Sequence, residues 1–396
     1  MHEIVCVGDV HAGLNFDFRI DPETGISDRA LDIHRNFARV ARWAIDHKAS
    51  LFCILGDLFD RPHVAPIFRE LVRKDVVEPL GEAGIEVWII AGNHDQPRRA
   101  ARSTSLEDFR GYKHVRVVQE PKAELRTIAG RKIGFILLPY LHPDQIVERV
   151  RENVGTDVPR EEAYEVARRL WKEWIRNRAA ELKDADLRIL FGHFEFQGVR
   201  YASTTVPEVV PHDFTFTRDM LPEEIDLVVF GHIHMRQVLF DKVVYAGAPE
   251  RIDWGERLDP KGFVVVRPDG SWSFEDLPTR SMVKVDVVVS EGEDVTSKIL
   301  EAMPPDLADS LVRIEVRLPD DLRNHVEEKR IAERLRDAFH YDLKFVSTER
   351  PRTVTEEFTM DPTRLLSDYV DKTLADHPRR EAIKGEAQRI LREVLT

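Results

Sequence analysis

The stretch IDLVVFGHIHM, residues 225 to 235, carries the pattern that decides the fold. Apolar side chains run unbroken from Leu227 to Phe230, as in a strand buried on both faces, then stop at Gly231. His232 and His234 follow at the period of an extended chain, so both imidazoles face one way while Ile233 faces inward. The same grammar recurs in IVCVGDV (4–10), LFCILGDL (51–58), IEVWIIAGNHD (85–95) and LRILFGHF (187–194), and KIGFILLPY (132–140) reads as a further buried strand. Between them, 28–48, 66–83 and 160–182 carry apolar residues at three-and-four spacing and are predicted to be amphipathic helices. VVYAGAP (243–249) and GFVVVRP (262–268) add strands, and the whole reads as a layered α/β core.

Each of five strand-like runs ends in residues able to ligate a cation: Asp9 and His11, Asp57, Asn93 with His94, His193, and His232 with His234. The C-terminal edge of an α/β sheet is where sites form. One such residue is an ordinary cap or surface group, but a repeated hydrophobic–Gly–polar ending needs a shared reason, and metal binding supplies one. Carboxylate, amide oxygen and imidazole without thiolate suit manganese, iron or zinc better than calcium or a Cys-rich zinc site. So many candidate ligands are too many for one ion and suit two that share a carboxylate.

The chain of 396 residues is 42% hydrophobic and 33% charged, an ordinary balance for a globular protein of two or three domains. No run of eighteen apolar residues occurs, and MHEIVCVGDVHAG enters a strand at once, so a cytoplasmic protein without a membrane span is expected. Cys6 and Cys53 sit in apolar runs and read as reduced core thiols. A net charge of -13 argues against a general polyanion-binding surface, so any nucleic-acid contact is local or supplied by a partner. From Met282 the pattern VKVDVVV, SKILEAM, LVRIEVRL, a helix near 322–339 and YDLKFVS predicts a small βαβαβ unit. A polar stretch, 347–359, reads as a linker before two amphipathic segments. Leu365, Leu366, Tyr369, Val370 and Leu374 share one face of the first; Ile383, Ala387, Ile390, Leu391 and Val394 share one face of the second.

The blocks GDVH (8–11), GDLFD (56–60), GNHD (92–95), GHFE (192–195) and GHIH (231–234), in that order, resemble the calcineurin-like metallophosphoesterase family. The resemblance implies that Asp9, His11, Asp57 and His234 hold a first ion, and that Asp57 bridges to a second completed by Asn93, His193 and His232. It places His94 beside the scissile phosphate, with Asp95 as a neighbouring carboxylate that orients it. Two manganese ions are implied, with magnesium, iron or zinc as alternatives; they neutralise phosphate oxygens and acidify a water for in-line attack. RPHVAP, GNHDQPRR and YAGAPERIDWGERLDPKGFVVV (245–266) are similar to the DNA double-strand-break nuclease subunits, SbcD in bacteria, of the meiotic-recombination nuclease family. Archaeal and eukaryotic members of that group usually carry His where this chain has Asp60, whereas bacterial members often have Asp.

That narrower resemblance implies a layered β-sandwich core flanked by helices, with a small α/β capping domain and a C-terminal helical tail. The expected units are a nuclease domain over 1–278, a capping domain over 279–346, a linker over 347–359 and a tail over 360–396. The tail would dock on an SbcC-type coiled-coil ATPase through Leu365, Leu366, Tyr369, Val370, Ile390 and Leu391. A homodimer through helices near 66–79 and after residue 100, and nucleoid association in the cytoplasm, are implied as well. The substrate would be DNA, degraded 3′ to 5′ as duplex and cut as single strand or hairpin. Basic residues crowd 97–132, and Arg98, Arg99 and Arg102, with Arg251 and Arg257 further on, are candidates for positioning a DNA backbone. A phosphoesterase acting on cyclic nucleotides or phosphoproteins, and a non-catalytic scaffold of the same fold, are the alternatives.

Overall fold

The computed structural model describes residues 2–96, 103–154, 158–201, 214–348, 366–367, 369–371 and 379–395. Two six-stranded sheets form its centre. The first runs Trp272–Asp276, Gly262–Val266, Ile4–Val7, Leu51–Leu55, Glu86–Ile90, Val115–Val118; the second runs Lys122–Ile128, Arg131–Leu138, Leu187–His193, Leu227–Gly231, Val243–Tyr245, Gln237–Leu239. Ile4–Val7, Leu51–Leu55, Glu86–Ile90 and Val115–Val118 pair in parallel, as do Arg131–Leu138, Leu187–His193, Leu227–Gly231 and Val243–Tyr245; the predicted strand Gly262–Val266 runs antiparallel, with Trp272–Asp276 beyond it, and Lys122–Ile128 and Gln237–Leu239 close the second sheet antiparallel.

Alternation along each strand sorts the side chains into layers. Ile4, Cys6, Leu51, Cys53, Trp88 and Ile90 meet Ile133, Phe135, Leu137, Ile189, Phe191 and Val229 in the core between the sheets. Val5, Val7, Phe52, Ile54, Val87 and Ile89 point the other way, onto helices whose buried residues include Ile33, Phe37, Val40, Val72 and Leu80. On the far side, Ile136, Leu138, Leu190, Val228 and Phe230 pack under Ala163, Ala167, Ile175 and Ala179. The result is an α/β/β/α sandwich, with strands buried on both faces as their continuous hydrophobicity requires. Trp88 and Phe135 join the sheets edge to face, with ring centroids 4.9 Å apart. Cys6 and Cys53 are buried, unpaired neighbours in this core.

The helix expected over 28–48 spans Asp28–Asp46 and starts at Ser27, whose side chain accepts from the Ala30 amide. The helix expected over 66–83 is interrupted. It comprises Pro66–Val72, a π-helical turn over Arg73–Val77 and a short helix Glu78–Glu82. Pro79 lacks an amide and its ring crowds the Asp75 carbonyl one turn earlier, so the helix widens there. Helix Pro143–Val154 and strands Val115–Val118, Lys122–Ile128 and Trp272–Asp276 lie outside the elements read from the sequence. No helix among the described residues is long and apolar enough to cross a membrane.

The βαβαβ unit is a parallel sheet of Met282–Val288, Leu311–Leu318 and His340–Ser347, crossed over by Val295–Ala302 and Glu328–Arg334. Its own core includes Val285, Val287, Ile299, Val312, Ile314, Val316, Ile331 and Leu335. The helix expected near 322–339 is a 3₁₀ turn, Asp320–His325, followed by the shorter Glu328–Arg334. Arg280 joins this unit to the sandwich. It pairs with both oxygens of Asp32 at 2.9 and 3.0 Å, bonds Asp309, and lies 3.6 Å over the Phe339 ring.

Burial alone would raise the Asp32 pKa, but Arg280 and then Arg29 outweigh it and hold the carboxyl below its ordinary value. A carboxylate depressed in the folded chain stabilises fully above its unfolded pKa of about 4, and that contribution fades as pH falls through the folded value. Arg280→Ala is expected to cost about 1 to 3 kcal/mol by removing the two-pronged partner of Asp32, which keeps only its pairs with Arg29 and Arg35. It should also flatten the loss of stability below about pH 4, where the wild-type pair dissolves. Denaturant unfolding of both proteins across that range is the check, and parallel curves would exclude this role for Arg280.

Candidate metal centre

The parallel strands of both sheets end along one edge, and there the chain abandons ordinary backbone conformations. Asp9, His11, Asp57 and His232 have φ of 53, 51, 51 and 84°, in the left-handed region that L-residues avoid at a cost of order 1 kcal/mol or more each. The loops after the first two strands stay zipped together by Asp9 N to Gly56 O at 3.2 Å and His11 N to Asp57 O at 2.9 Å. The block glycines let the strand-end loops close on each other, both within the first sheet and between the two sheets. A Cβ at Gly56 would overlap the His193 imidazole, one at Gly92 the Asp57 carboxylate, and one at Gly231 the Leu55 carbonyl oxygen.

The side chains so delivered converge. Ligand atoms of Asp9, His11 and His234 lie within 4.8 Å of one another, as do those of Asp9, Asp57 and His193, and those of His11, Asp57 and His94. His11 Nε2 and His234 Nε2 are 3.1 Å apart. Asn93 Oδ1 lies 2.8 Å from His193 Nε2 and 3.1 Å from His232 Nδ1, and His193 Nε2 lies 3.2 Å from Asp57 Oδ2. Neighbouring donors on one ion with bonds of about 2.1 Å stand about 3 Å apart, so this cage has the right size for cations.

Hydrogen bonding gives a second sign. Asp9 is fully buried; its Oδ1 accepts from the His232 amide at 2.8 Å, while Oδ2 has no hydrogen-bond partner. An orphaned carboxylate oxygen at zero exposure is costly unless a cation faces it. Backbone carbonyls fix two tautomers. His193 Nδ1 donates to Leu55 O at 2.8 Å and His94 Nδ1 to Asp60 O at 2.7 Å, which leaves Nε2 of each facing the site. The residues present fit a pair of divalent cations.

The electrostatics agree. Burial would raise the Asp57 carboxyl, yet His193 and His11 overcome it and hold it well below the usual carboxylate range. His193 is driven down by burial but lifted by Asp57 to about 9, so a proton there supplies positive charge between the carboxylates. Burial and the charge of His193 push His232 down to about 3, leaving it a neutral donor. Burial and Asp57 push Asp95 up to about 6.

All seven residues expected to bind metal, and His94, are brought together here. Asp95 is not placed as expected. Its oxygens accept from the amides of Gly92, Leu58 and Phe59 at 3.0 to 3.2 Å, so it ties the GNHD loop to the GDLFD loop, and the Asp60 carbonyl orients His94 instead. Arg251 is also spent internally: its guanidinium donates to Asp259 O and Arg280 O at 3.1 to 3.2 Å, which removes it from the DNA-facing candidates. Of the basic 97–132 stretch, Arg116 and Arg126 flank Trp88 and pair with Glu86 and Glu124. Arg98, Arg99 and Arg102 lie outside the described residues. The sequence reading missed Glu256, whose Oε1 is 2.7 Å from His234 Nδ1; only its place in the 245–266 block hinted at it.

A two-cation cage at the strand ends of an α/β/β/α sandwich defines a metal-dependent phosphoester hydrolase. The profile of the calcineurin-like phosphoesterase family matches residues 2–236, and the chain belongs to that family. It is 25% identical over 303 residues to the DNA double-strand break repair protein Mre11 of Methanocaldococcus jannaschii, covering 74% of this chain and 69% of the relative. Matches at 25% identity to the proteins of the same name from Archaeoglobus fulgidus and Sulfurisphaera tokodaii cover 69 and 72% of this chain, and the alignments span 60 and 63% of their lengths. A dimetal phosphatase from Danio rerio overlaps 67% of this chain and 91% of its own at 11% identity, with a TM-score of 0.36.

Gly231→Ala and Gly56→Ala are each expected to displace His193 or its supporting strand. The second also loses a left-handed glycine (φ 88°). Each should lower stability by roughly 2 kcal/mol or more and abolish tight manganese binding, measured by thermal unfolding and calorimetry. Wild-type affinity in a folded Gly231→Ala protein would contradict the packing described.

Proposed function

We propose that this chain is the nuclease subunit of a DNA-end-processing complex, a manganese-dependent phosphodiester hydrolase acting on DNA. The observation that carries the reading is the cage itself: ligands from five separated blocks meet around an orphaned buried carboxylate oxygen. The family match supplies phosphoester chemistry, and the double-strand-break repair relatives favour DNA over other phosphoesters. Asp9, His11, Asp57 and His234 would hold one cation, and Asp57, Asn93, His193 and His232 the other. Bound there, the cations supply charge neutralisation at the phosphate oxygens and acidify water at neutral pH.

The chain's own residues do the rest. His94, half-buried at the rim, has its Nδ1 committed to the Asp60 carbonyl, so a proton for the leaving oxygen can be carried only on Nε2. The His94 amide donates to Asp57 Oδ1 at 2.8 Å, so the group that serves the leaving oxygen and the bridging carboxylate are set relative to each other by backbone. The left-handed residues hold the ligands in place before substrate arrives, which reduces the reorganisation left for the reaction.

The tail supports a partner-docking role. Lys384 pairs with Asp371, and Gln388 Nε2 donates to Ser367 Oγ at 2.7 Å, so its two helices pack on each other. Val370 is buried, whereas Tyr369 is 66% and Ile390 50% exposed, which leaves apolar surface for an SbcC-type coiled coil. Leu366 and Leu391 are half-buried, and Leu365 lies outside the described residues. A second copy of the chain, joined through helices near 66–79, belongs to the same proposal.

His94→Gln is expected to lower the rate on a labelled duplex about 10²- to 10⁴-fold while leaving manganese and DNA binding within twofold. Unchanged degradation would overturn the role of His94. Hydrolysis of a small phosphodiester without attack on DNA would favour the cyclic-nucleotide alternative. Deleting 360–396 should abolish co-purification with the coiled-coil ATPase and spare manganese-dependent hydrolysis; retained association would remove the tail from the interface.

A further inference from the structure

Resting on the metal reading of the site, we infer that Glu256, clamped by Lys261, is a positioning residue that fixes the tautomer and direction of the His234 imidazole. His234 Nδ1 lies 2.7 Å from Glu256 Oε1, and a carboxylate beside a ring nitrogen selects the tautomer that carries hydrogen on that nitrogen. The lone pair is then on Nε2, which meets His11 Nε2 at 3.1 Å within the group that includes Asp9.

The other half of the clamp fixes the carboxylate. Glu256 Oε2 is 2.7 Å from Lys261 Nζ and accepts from the Ile252 amide at 3.2 Å, while the same ammonium donates to the His234 backbone carbonyl at 3.1 Å. One lysine thus holds both the carboxylate behind the imidazole and the backbone that bears it. The Glu256 and Lys261 side chains are 5% and 0% exposed, so neither has solvent as a substitute partner. The short turn Trp254–Glu256 that delivers the carboxylate is started by Asp253, which accepts from Gly255 N at 2.6 Å.

This support differs from that of the other imidazoles. His193 and His94 lean on neutral carbonyls, and His11 Nδ1 stands 3.6 Å from Asp60 without a hydrogen-bond partner. A carboxylate behind a ligating imidazole also raises its basicity toward the cation, and removing such a partner typically weakens metal binding 10- to 100-fold. The effect should therefore fall on the ion held by His234 and not on the ion held by His193 and His232.

The test is manganese calorimetry on the full chain, together with nitrogen-15 NMR of the His234 ring in metal-free protein. Wild type is expected to bind two ions and to show hydrogen on Nδ1. In Glu256→Gln, one ion should weaken by about 10- to 100-fold, the other should stay within twofold, and the ring should become a tautomer mixture. Should an unpaired Lys261 unfold that protein, the double variant Glu256→Leu with Lys261→Met removes both charges and carries the same expectation. Two unweakened ions in a folded variant, equal weakening of both, or an unchanged tautomer would overturn the inference alone. A wild type that binds no manganese would overturn the metal reading and this inference with it.

Discussion

The closeness of the two sheets at their C-terminal edges is the constraint from which the rest follows. Gly56 lies against His193 and Gly231 against the Leu55 carbonyl, with no room for a methyl group at either. Elsewhere the sheets are kept apart by Trp88, Phe135 and Phe191, so the gap narrows from aromatic stacking to backbone contact. Ligands separated by more than a hundred residues then reach one point without long side chains spanning the distance. His193, on one sheet, donates to the strand that precedes Asp57 on the other.

Convergence of this kind concentrates negative charge that hydrogen bonds alone do not satisfy. Asp9 and Asp57 are buried beside each other, and the amides of His232 and His94 each satisfy one oxygen of the pair. A proton on His193 offsets part of this charge, but burial holds His232 neutral, so imidazoles do not discharge all of it. In an acidic chain of net charge -13, the site is thus a deep, acceptor-rich well that selects cations before it selects substrate. A phosphodiester, itself anionic, is compatible with such a well only once cations have reversed its sign.

Much of this was legible because it depends on backbone period. A buried strand reads as a hydrophobic run, its end as glycine, and a ligand pair as a two-residue repeat, and each of these properties is local. What was not legible depends on partners that sequence leaves unspecified. Asp95 adjoins His94 in the chain, yet its carboxylate turns to the backbone amides of another loop, and the orienting acceptor for His94 is a main-chain carbonyl that any residue at position 60 would supply. Arg251 looked like a phosphate contact because its charge was visible and its three carbonyl contacts were not. Pro79 could have warned of the π-helical turn, since the spacing Val72, Val76, Leu80 is compatible with a regular helix only if the amide at 79 is dispensable.

The segment from 249 to 261 unites features that otherwise look separate. Glu250 receives Arg29 at 3.0 Å and Asn36 at 2.7 Å from the first long helix, and Arg251 grips the Arg280 carbonyl at the entrance to the βαβαβ unit. Trp254 lies under Arg313 of that unit, 4.5 Å from its ring centroid, and two residues later Glu256 reaches His234. A short strap therefore touches the sandwich, the βαβαβ unit and the candidate metal centre in turn. Since Glu250 and Glu256 are both buried and charge-paired, the strap cannot slide to accommodate a displaced neighbour without exposing or unpairing a carboxylate. The strap thus links the imidazole at the site to the βαβαβ unit through a series of side-chain contacts, from the Arg313 guanidinium on Trp254 to the Glu256 carboxylate on His234.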